Sequence, residues 1–244
     1  MSRRLTHIFF DFTNTLVRVR GSVGEVYARV ARRHGLDVTA TELDAHFDAA
    51  IDMTPQPVDP DLAPAEITAR ERLWWRELAA RTLEPYGDFP GFDAFFDEVF
   101  DLFRHADAWE LLPGVRESLD TLRRQGRRLG VISDMDARLY DVFDALELRD
   151  SFEFICLSFR TGYAKPDRRL YEAAIRRAGT AAAHCVHVGD SITKDVEGAL
   201  AAGLLPIHLA DHGVHTPSGA HRVGALCEIP NLLLRLEAGT SPGD

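Results

Sequence analysis

Near its start the chain runs Leu5-Thr6-His7-Ile8-Phe9-Phe10-Asp11-Phe12-Thr13-Asn14-Thr15-Leu16. Ile8, Phe9 and Phe10 make a short unbroken apolar run, the pattern of a strand buried on both faces. Asp11 closes that run, and small polar residues suited to a tight turn follow it. A carboxylate at the end of a buried strand is costly unless it caps a turn or serves a metal, a cation or a substrate. In open α/β sheets, ligands bind in the crevice at the carboxyl ends of the strands. Asp11 is therefore the first candidate for chemistry.

Outward from this strand the chain reads as an interrupted α/β protein. Residues 22–105 carry helical spacing and almost no strand signal. Val23, Val26, Tyr27 and Val30 start one helix and Gly35 stops it. Leu43, Phe47 and Ile51 mark a second helix, and Pro55, Pro57, Pro60 and Pro64 break the chain after it. Ile67, Leu73, Trp74, Leu78 and Leu83 mark a third. Phe92, Phe95, Phe96, Val99, Phe100 and Phe103 mark a fourth, an aromatic stripe that reads as helix-bundle core. From Pro113 onward helix and strand alternate, with strands expected at 129–133, 154–157, 184–188, 204–209 and 225–229, and a short helix and disordered tail at the end. Repeated β-α units of this length imply a doubly wound parallel sheet with helices on both faces. The expected division is a Rossmann-like α/β core at 1–16 and 106–244, with a four-helix insertion at 17–105.

Composition narrows the function. At 244 residues, with 45% hydrophobic and 27% charged content, the chain can bury a large core and resembles soluble globular proteins. A formal net charge of −10 argues against nucleic acid and anionic membrane surfaces as partners. No apolar run approaches a membrane span, and Asp11 interrupts any signal-peptide reading of the first residues. Cys156, Cys185 and Cys227 lack metal-ligand spacing and read as reduced core thiols of a cytoplasmic protein. His208, His212, His215 and His221 lack helical pairing and read as part of a solvated loop rather than a zinc site. Of 28 basic residues only Lys165 and Lys194 are lysine, leaving 26 arginines. A chain so biased keeps lysine where a compact point charge is needed.

The polar residues at strand ends then fall together. The strand at 129–133 ends in Ser133-Asp134, and the strand at 184–188 ends in Gly189-Asp190-Ser191, with Asp195 one helical turn further on. Lys165-Pro166-Asp167 opens the helix between them. Asp11 and Asp190 would meet at one sheet edge, where two bare carboxylates repel. A bound Mg²⁺, which prefers oxygen ligands, removes that conflict. Ser133 offers a hydroxyl and Lys165 a positive charge for an oxyanion. Asp195 either orients Lys165 or supports the metal. Asn14, Ser133, Asp134 and Lys165 are the candidates for contacting substrate.

In this order and spacing the residues resemble the haloacid dehalogenase-like hydrolase superfamily over residues 5 to about 210. Its first motif, a nucleophilic Asp, a second Asp two positions on, then Gly-Thr-Leu, is matched by Asp11-Phe12-Thr13-Asn14-Thr15-Leu16. Its second is matched by Ser133, its third by Lys165-Pro166-Asp167, and its fourth by Gly189-Asp190-Ser191 with Asp195. The resemblance implies that the insertion is the family's small helical cap, and that Mg²⁺ is held by Asp11, Asp190, Asp195 and the Thr13 backbone carbonyl. It also implies catalytic roles for Asp11, Thr13, Ser133 and Lys165. Thr13 departs from the pattern. Family phosphatases place there an Asp that protonates the leaving group and activates water, which threonine cannot do. P-type cation pumps share the fold and carry threonine here, and their aspartyl-phosphate persists. Asn14, standing where glycine is usual, tolerates a left-handed backbone.

Three functional expectations follow from the resemblance. The first is a Mg²⁺-dependent phosphatase or phosphotransferase acting on a small phosphorylated metabolite through an aspartyl-phosphate at Asp11, slow because of Thr13. The second is a catalytically impaired protein that binds a phosphorylated ligand or partner. The third is a metal-free haloacid dehalogenase, against which Asp190 argues because it would repel an anionic substrate. Oligomeric state is not readable from the sequence.

Overall fold

A computed structural model describes residues 4–211 and 213–239, so the tail from residue 240 and His212 lie outside the described residues. Strand β1 (His7–Phe10) is buried along its whole length. Ile8 and Phe10 pack into the core on one face of the sheet and Phe9 into the core on the other, as the two-residue strand period requires. The chain then passes through β2 (Val17–Val19) into α1 (Val23–Arg33), α2 (Ala40–Met53), α3 (Pro64–Leu83) and α4 (Phe92–Leu102). It returns through β3 (Trp109–Leu111) to α5 (Val115–Arg124), β4 (Arg128–Ser133), α6 (Arg138–Ala145), β5 (Phe154–Leu157) and the short α7 (Ser158–Thr161). The last elements are α8 (Arg168–Ala178), β6 (Cys185–Gly189), α9 (Gly198–Ala201), β7 (Leu205–Leu209), β8 (His221–Val223) and α10 (Ile229–Ala238).

Six strands form one sheet in the order β5-β4-β1-β6-β7-β8, and every neighbouring pair is parallel. From β1 the chain builds outward through β4 and β5, then crosses back to β6 and builds the other way. Strand order therefore reverses on the two flanks of β1, and the crevice at its carboxyl end is a topological switch point. Side chains from α5, α6 and α10 cover one face of the sheet, and those of α8 and α9 cover the other.

The helical insertion has a core of its own around Phe95, whose ring meets Tyr27 edge-on at 5.4 Å. Ser22 caps α1 by accepting the Glu25 N–H at 3.0 Å. Gly35, read as a helix stop, takes a left-handed φ of +95°. Among the described residues no helix is long and apolar enough to cross a membrane.

Several elements differ from the sequence expectation. β2 and β3 pair antiparallel as a two-stranded ribbon where the chain enters and leaves the insertion; three residues each are too few to display alternation. The strand expected at 225–229 lies earlier, at β8, and 226–228 form a 3₁₀ turn leading into α10. The helix that carries Asp195 begins as a π-helical segment, Ile192–Glu197, a form often found at functional sites. Cys156 and Cys185 are buried, as expected of core thiols, but Cys227 is exposed.

Candidate active site

β1, β4 and β6 lie side by side, so the residues at their carboxyl ends converge. The Asp11 N–H continues the β1 ladder to the Val188 carbonyl at 2.8 Å, which holds its side chain over the switch point. Lys165 enters from the loop before α8, and its Nζ donates to Asp11 Oδ1 at 2.5 Å and to Asp195 Oδ1 at 2.6 Å. Its own N–H donates to Asp134 Oδ1 at 3.0 Å. Asp11, Asp190 and Asp195 bring carboxylate oxygens within 4.8 Å of one another. Ser133 is buried, and its Oγ accepts the Met135 N–H at 3.1 Å. The predicted site residues Asp11, Thr13, Asn14, Ser133, Asp134 and Lys165 thus line one cavity, together with Asp190 and Asp195. Lys194 is half-exposed, with Nζ 3.7 Å from Asp134 Oδ2.

Charge in this cluster is unbalanced. Burial pushes the Asp11 carboxyl up to about 7, against the pull of the Lys165 ammonium. Burial and the neighbouring Asp195 raise Asp190 as well. Burial opposes the charge on Lys165, but Asp11 and Asp195 outweigh it and hold the ammonium well above the usual lysine range. One buried cation therefore faces three clustered carboxylates. A divalent cation fits the surplus, and its donor set is all oxygen.

Asp195 is committed to its neighbours. Burial would raise its carboxyl, but Lys165 and a hydrogen bond from His187 overcome that and hold it well below the usual range. His187 Nε2 donates to Asp195 Oδ1 at 2.9 Å, and the Ser191 N–H donates to Oδ2 at 3.0 Å. Asp195 thus contacts Lys165 directly while also standing in the carboxylate cluster with Asp11 and Asp190. Gly189 sits against the Asp195 carboxylate, and a Cβ there would overlap it. Gly189→Ala is expected to stay folded but to lose activity about a hundredfold, the scale of an ångström's misplacement. Melting curves beside steady-state rates check this, and an unimpaired rate would show that the Asp195–Lys165 geometry does not matter.

The turn after Asp11 is tightly tied. The Asn14 N–H donates to the Val17 carbonyl at 2.6 Å and the Val17 N–H to the Phe12 carbonyl at 3.1 Å. Asn14 takes φ +58°, the left-handed conformation expected of it. The buried Thr15 hydroxyl donates to Asp190 Oδ1 at 3.4 Å. The turn bonds Thr13 as a bridge to Val17, and no N–H among the described residues donates to the Thr13 carbonyl. That carbonyl is a further oxygen available to a cation.

Several residues of the site escaped the sequence reading. His208 is buried in β7, not in a solvated loop: Nε2 donates to the Asp190 carbonyl at 3.0 Å and Nδ1 accepts from Thr216 Oγ1 at 2.9 Å. His215 is exposed and His221 half-buried. Arg138 pairs with Asp136 through a bond of 2.5 Å, donates to the Phe100 carbonyl at 2.9 Å, and lies over the Phe100 ring at 3.8 Å. The cavity, of about 600 Å³, extends from the carboxylates into the helical insertion. The α4 stripe read as bundle core does bury Phe95 and Phe96, but Phe96, Val99, Phe100 and Phe103 also line the cavity. Trp74 and Trp75 both line it as well, whereas Leu73, read as part of the same apolar spacing, is exposed.

Residues 5–203 match the family described as haloacid dehalogenase-like hydrolase. Over 203 residues the chain is 32% identical to haloacid dehalogenase-like hydrolase domain-containing protein 3 of Bos taurus, covering 82% of this chain and 80% of that protein. Among solved structures, the HAD-hydrolase YfnB from Bacillus subtilis bound to magnesium aligns with a TM-score of 0.73 at 18% identity, covering 95% of this chain and 99% of that one. L-2-haloacid dehalogenase from Xanthobacter autotrophicus aligns with a TM-score of 0.71 at 16% identity, covering 94% and 98%. At these identities the two structural likenesses concern the fold alone.

Proposed function

The chain belongs to the haloacid dehalogenase-like hydrolase family, and from that premise we propose that it is a Mg²⁺-dependent phosphoryl-transfer enzyme with Asp11 as nucleophile. The observation that carries this reading is the cluster of Asp11, Asp190 and Asp195 with the buried Lys165 ammonium bonded to two of them. A metal-free dehalogenase would have to bring an anionic substrate against the uncompensated Asp190. The magnesium bound to YfnB accords with a cation here.

Asp11, Asp190 and the Thr13 carbonyl would hold the ion, which would neutralise charge on the phosphoryl oxygens. In the proposed reaction an Asp11 carboxylate oxygen attacks phosphorus, the bond from phosphorus to the ester oxygen breaks, and the alcohol leaves after taking a proton from water. Lys165 favours the ionised form of Asp11 against burial and would face the phosphoryl group, and the Ser133 hydroxyl at the end of β4 would bond one of its oxygens. Water then attacks phosphorus, returning Asp11 and releasing inorganic phosphate. Thr13 offers no carboxylate to take a proton in this second step. A second reading, a phospho-ligand-binding protein without efficient turnover, draws on that same substitution. The helical insertion would act as the cap over the substrate.

The test is metal dependence. Hydrolysis of a chromogenic phosphate ester should require Mg²⁺ and vanish with a chelator. Asp190→Asn should raise the Mg²⁺ needed for half-maximal rate at least about tenfold, as expected when a charge-neutralising ligand is lost. Turnover that survives chelation, or equal Mg²⁺ requirement in the variant, would overturn the proposal.

A further inference from the structure

We infer that the group carried by the phosphoryl ester is apolar and bulky, an aryl or arylalkyl alcohol rather than a sugar, a polyol or a second phosphate; this rests on the phosphoryl-transfer reading above. The cavity of about 600 Å³ is far larger than a phosphoryl group, so most of it must receive the rest of the substrate. All 3 tryptophans of the chain, Trp74, Trp75 and Trp109, line it. Phe96, Phe100 and Phe103 of the α4 side add further aromatic surface, continuous with the carboxylate end.

The polar groups on that wall are largely committed. The Thr54 hydroxyl donates to the Ala50 carbonyl at 2.7 Å. The Gln56 amide donates to the Asp134 carbonyl and accepts the Ser158 hydroxyl at 2.7 Å. Arg138 is held by Asp136 and by the Phe100 carbonyl. Of the buried polar atoms on this wall, the Trp75 indole N–H is left without a partner among the described residues. A sugar would bring several hydroxyls into this wall and strand most of them, whereas an aromatic group would lose nothing and gain ring contacts. A second phosphate would meet no uncommitted buried cation among the described residues that line the cavity: Arg138 is paired with Asp136, Lys194 is half-exposed beside Asp134, and Asp52 adds negative charge.

The experiment compares primary alkyl phosphates, whose leaving groups have similar intrinsic reactivity. With Mg²⁺ present, wild type should hydrolyse 3-phenylpropyl phosphate with kcat/KM at least tenfold above that for glycerol 3-phosphate, glucose 6-phosphate or fructose 1,6-bisphosphate. The Asp11→Asn protein, titrated with the same four compounds, should show a saturable change in tryptophan emission with 3-phenylpropyl phosphate at the lowest concentration. Equal or greater kcat/KM for the polyol and sugar phosphates would overturn the apolar class and leave phosphoryl transfer standing. Selective binding of 3-phenylpropyl phosphate with no hydrolysis of any ester would sustain the class and sink phosphoryl transfer. Tryptophan emission indifferent to 3-phenylpropyl phosphate would overturn the assignment of the cavity.

Discussion

The Asp11→Asn protein is expected to fold, to bind ligand, and to lose turnover by at least about 10⁴-fold, the scale on which removal of a covalent nucleophile is felt. The amide keeps the shape of the carboxylate but has no charge with which to attack phosphorus. Stability should move the other way. Burial holds the Asp11 carboxyl at about 7 against an ordinary value of 3.8. A carboxyl raised on folding favours the fold while it is protonated, and that contribution fades as pH climbs from about 4 through about 7. Asparagine does not titrate. The metal-free variant should therefore melt close to wild type near pH 4 and above it at pH 8. Phosphate release, with melting curves at the two pH values, decides both parts. A variant retaining a tenth of wild-type turnover would remove Asp11 as nucleophile. One that melts below wild type at pH 8 would mean that the bond to Lys165 is worth more than the burial costs.

What could be read from the sequence was what a single strand end displays. The apolar run 8–10 followed by Asp11, and the small polar residues after 132 and 188, each announce a buried strand delivering a polar group to one edge. In a parallel sheet such ends must lie side by side, so Asp11, Ser133, Asp134 and Asp190 could be placed together from order alone. Lys165 stood out because arginine had replaced lysine at almost every other basic position. The helical insertion is different. Its helices were legible from their period, but which face turns toward the sheet edge depends on how they pack across the ribbon of β2 and β3, and those strands are only three residues long. Hence the α4 stripe read as core, although one side of it walls the cavity. His208 was missed for a related reason. It lies in β7, next to β6, and only the register that pairs Gly189 with His208 brings its ring to the Asp190 carbonyl. A His at the end of a buried strand adjoining the Gly-Asp motif was the available signal.

Thr13→Asp is expected to hydrolyse a generic phosphate ester faster than wild type, by about 10²–10⁴-fold, the contribution of a positioned general acid–base. If Asp11 takes a phosphoryl group, the acyl phosphate is released only when water attacks phosphorus, and that water must lose a proton. Thr13 lies in the turn two residues beyond Asp11 and lines the same cavity, but its hydroxyl has no useful proton affinity near neutral pH. Wild type should therefore accumulate aspartyl-phosphate, detectable as modified Asp11 after acid quench of a reaction in progress, and Thr13→Asp should not. The new carboxylate joins a cluster already short of positive charge, so the metal-free variant should melt below wild type, and saturating Mg²⁺ should close most of that gap. Thr13 is only partly buried, which leaves room for the change. The measurements are steady-state rates, the quenched intermediate, and melting with and without Mg²⁺, on wild type and variant together. A fast wild type that Thr13→Asp slows would place the general base elsewhere in the cavity. A variant no faster than wild type, with no intermediate in either, would favour the reading in which this chain holds a phosphorylated ligand without turning it over.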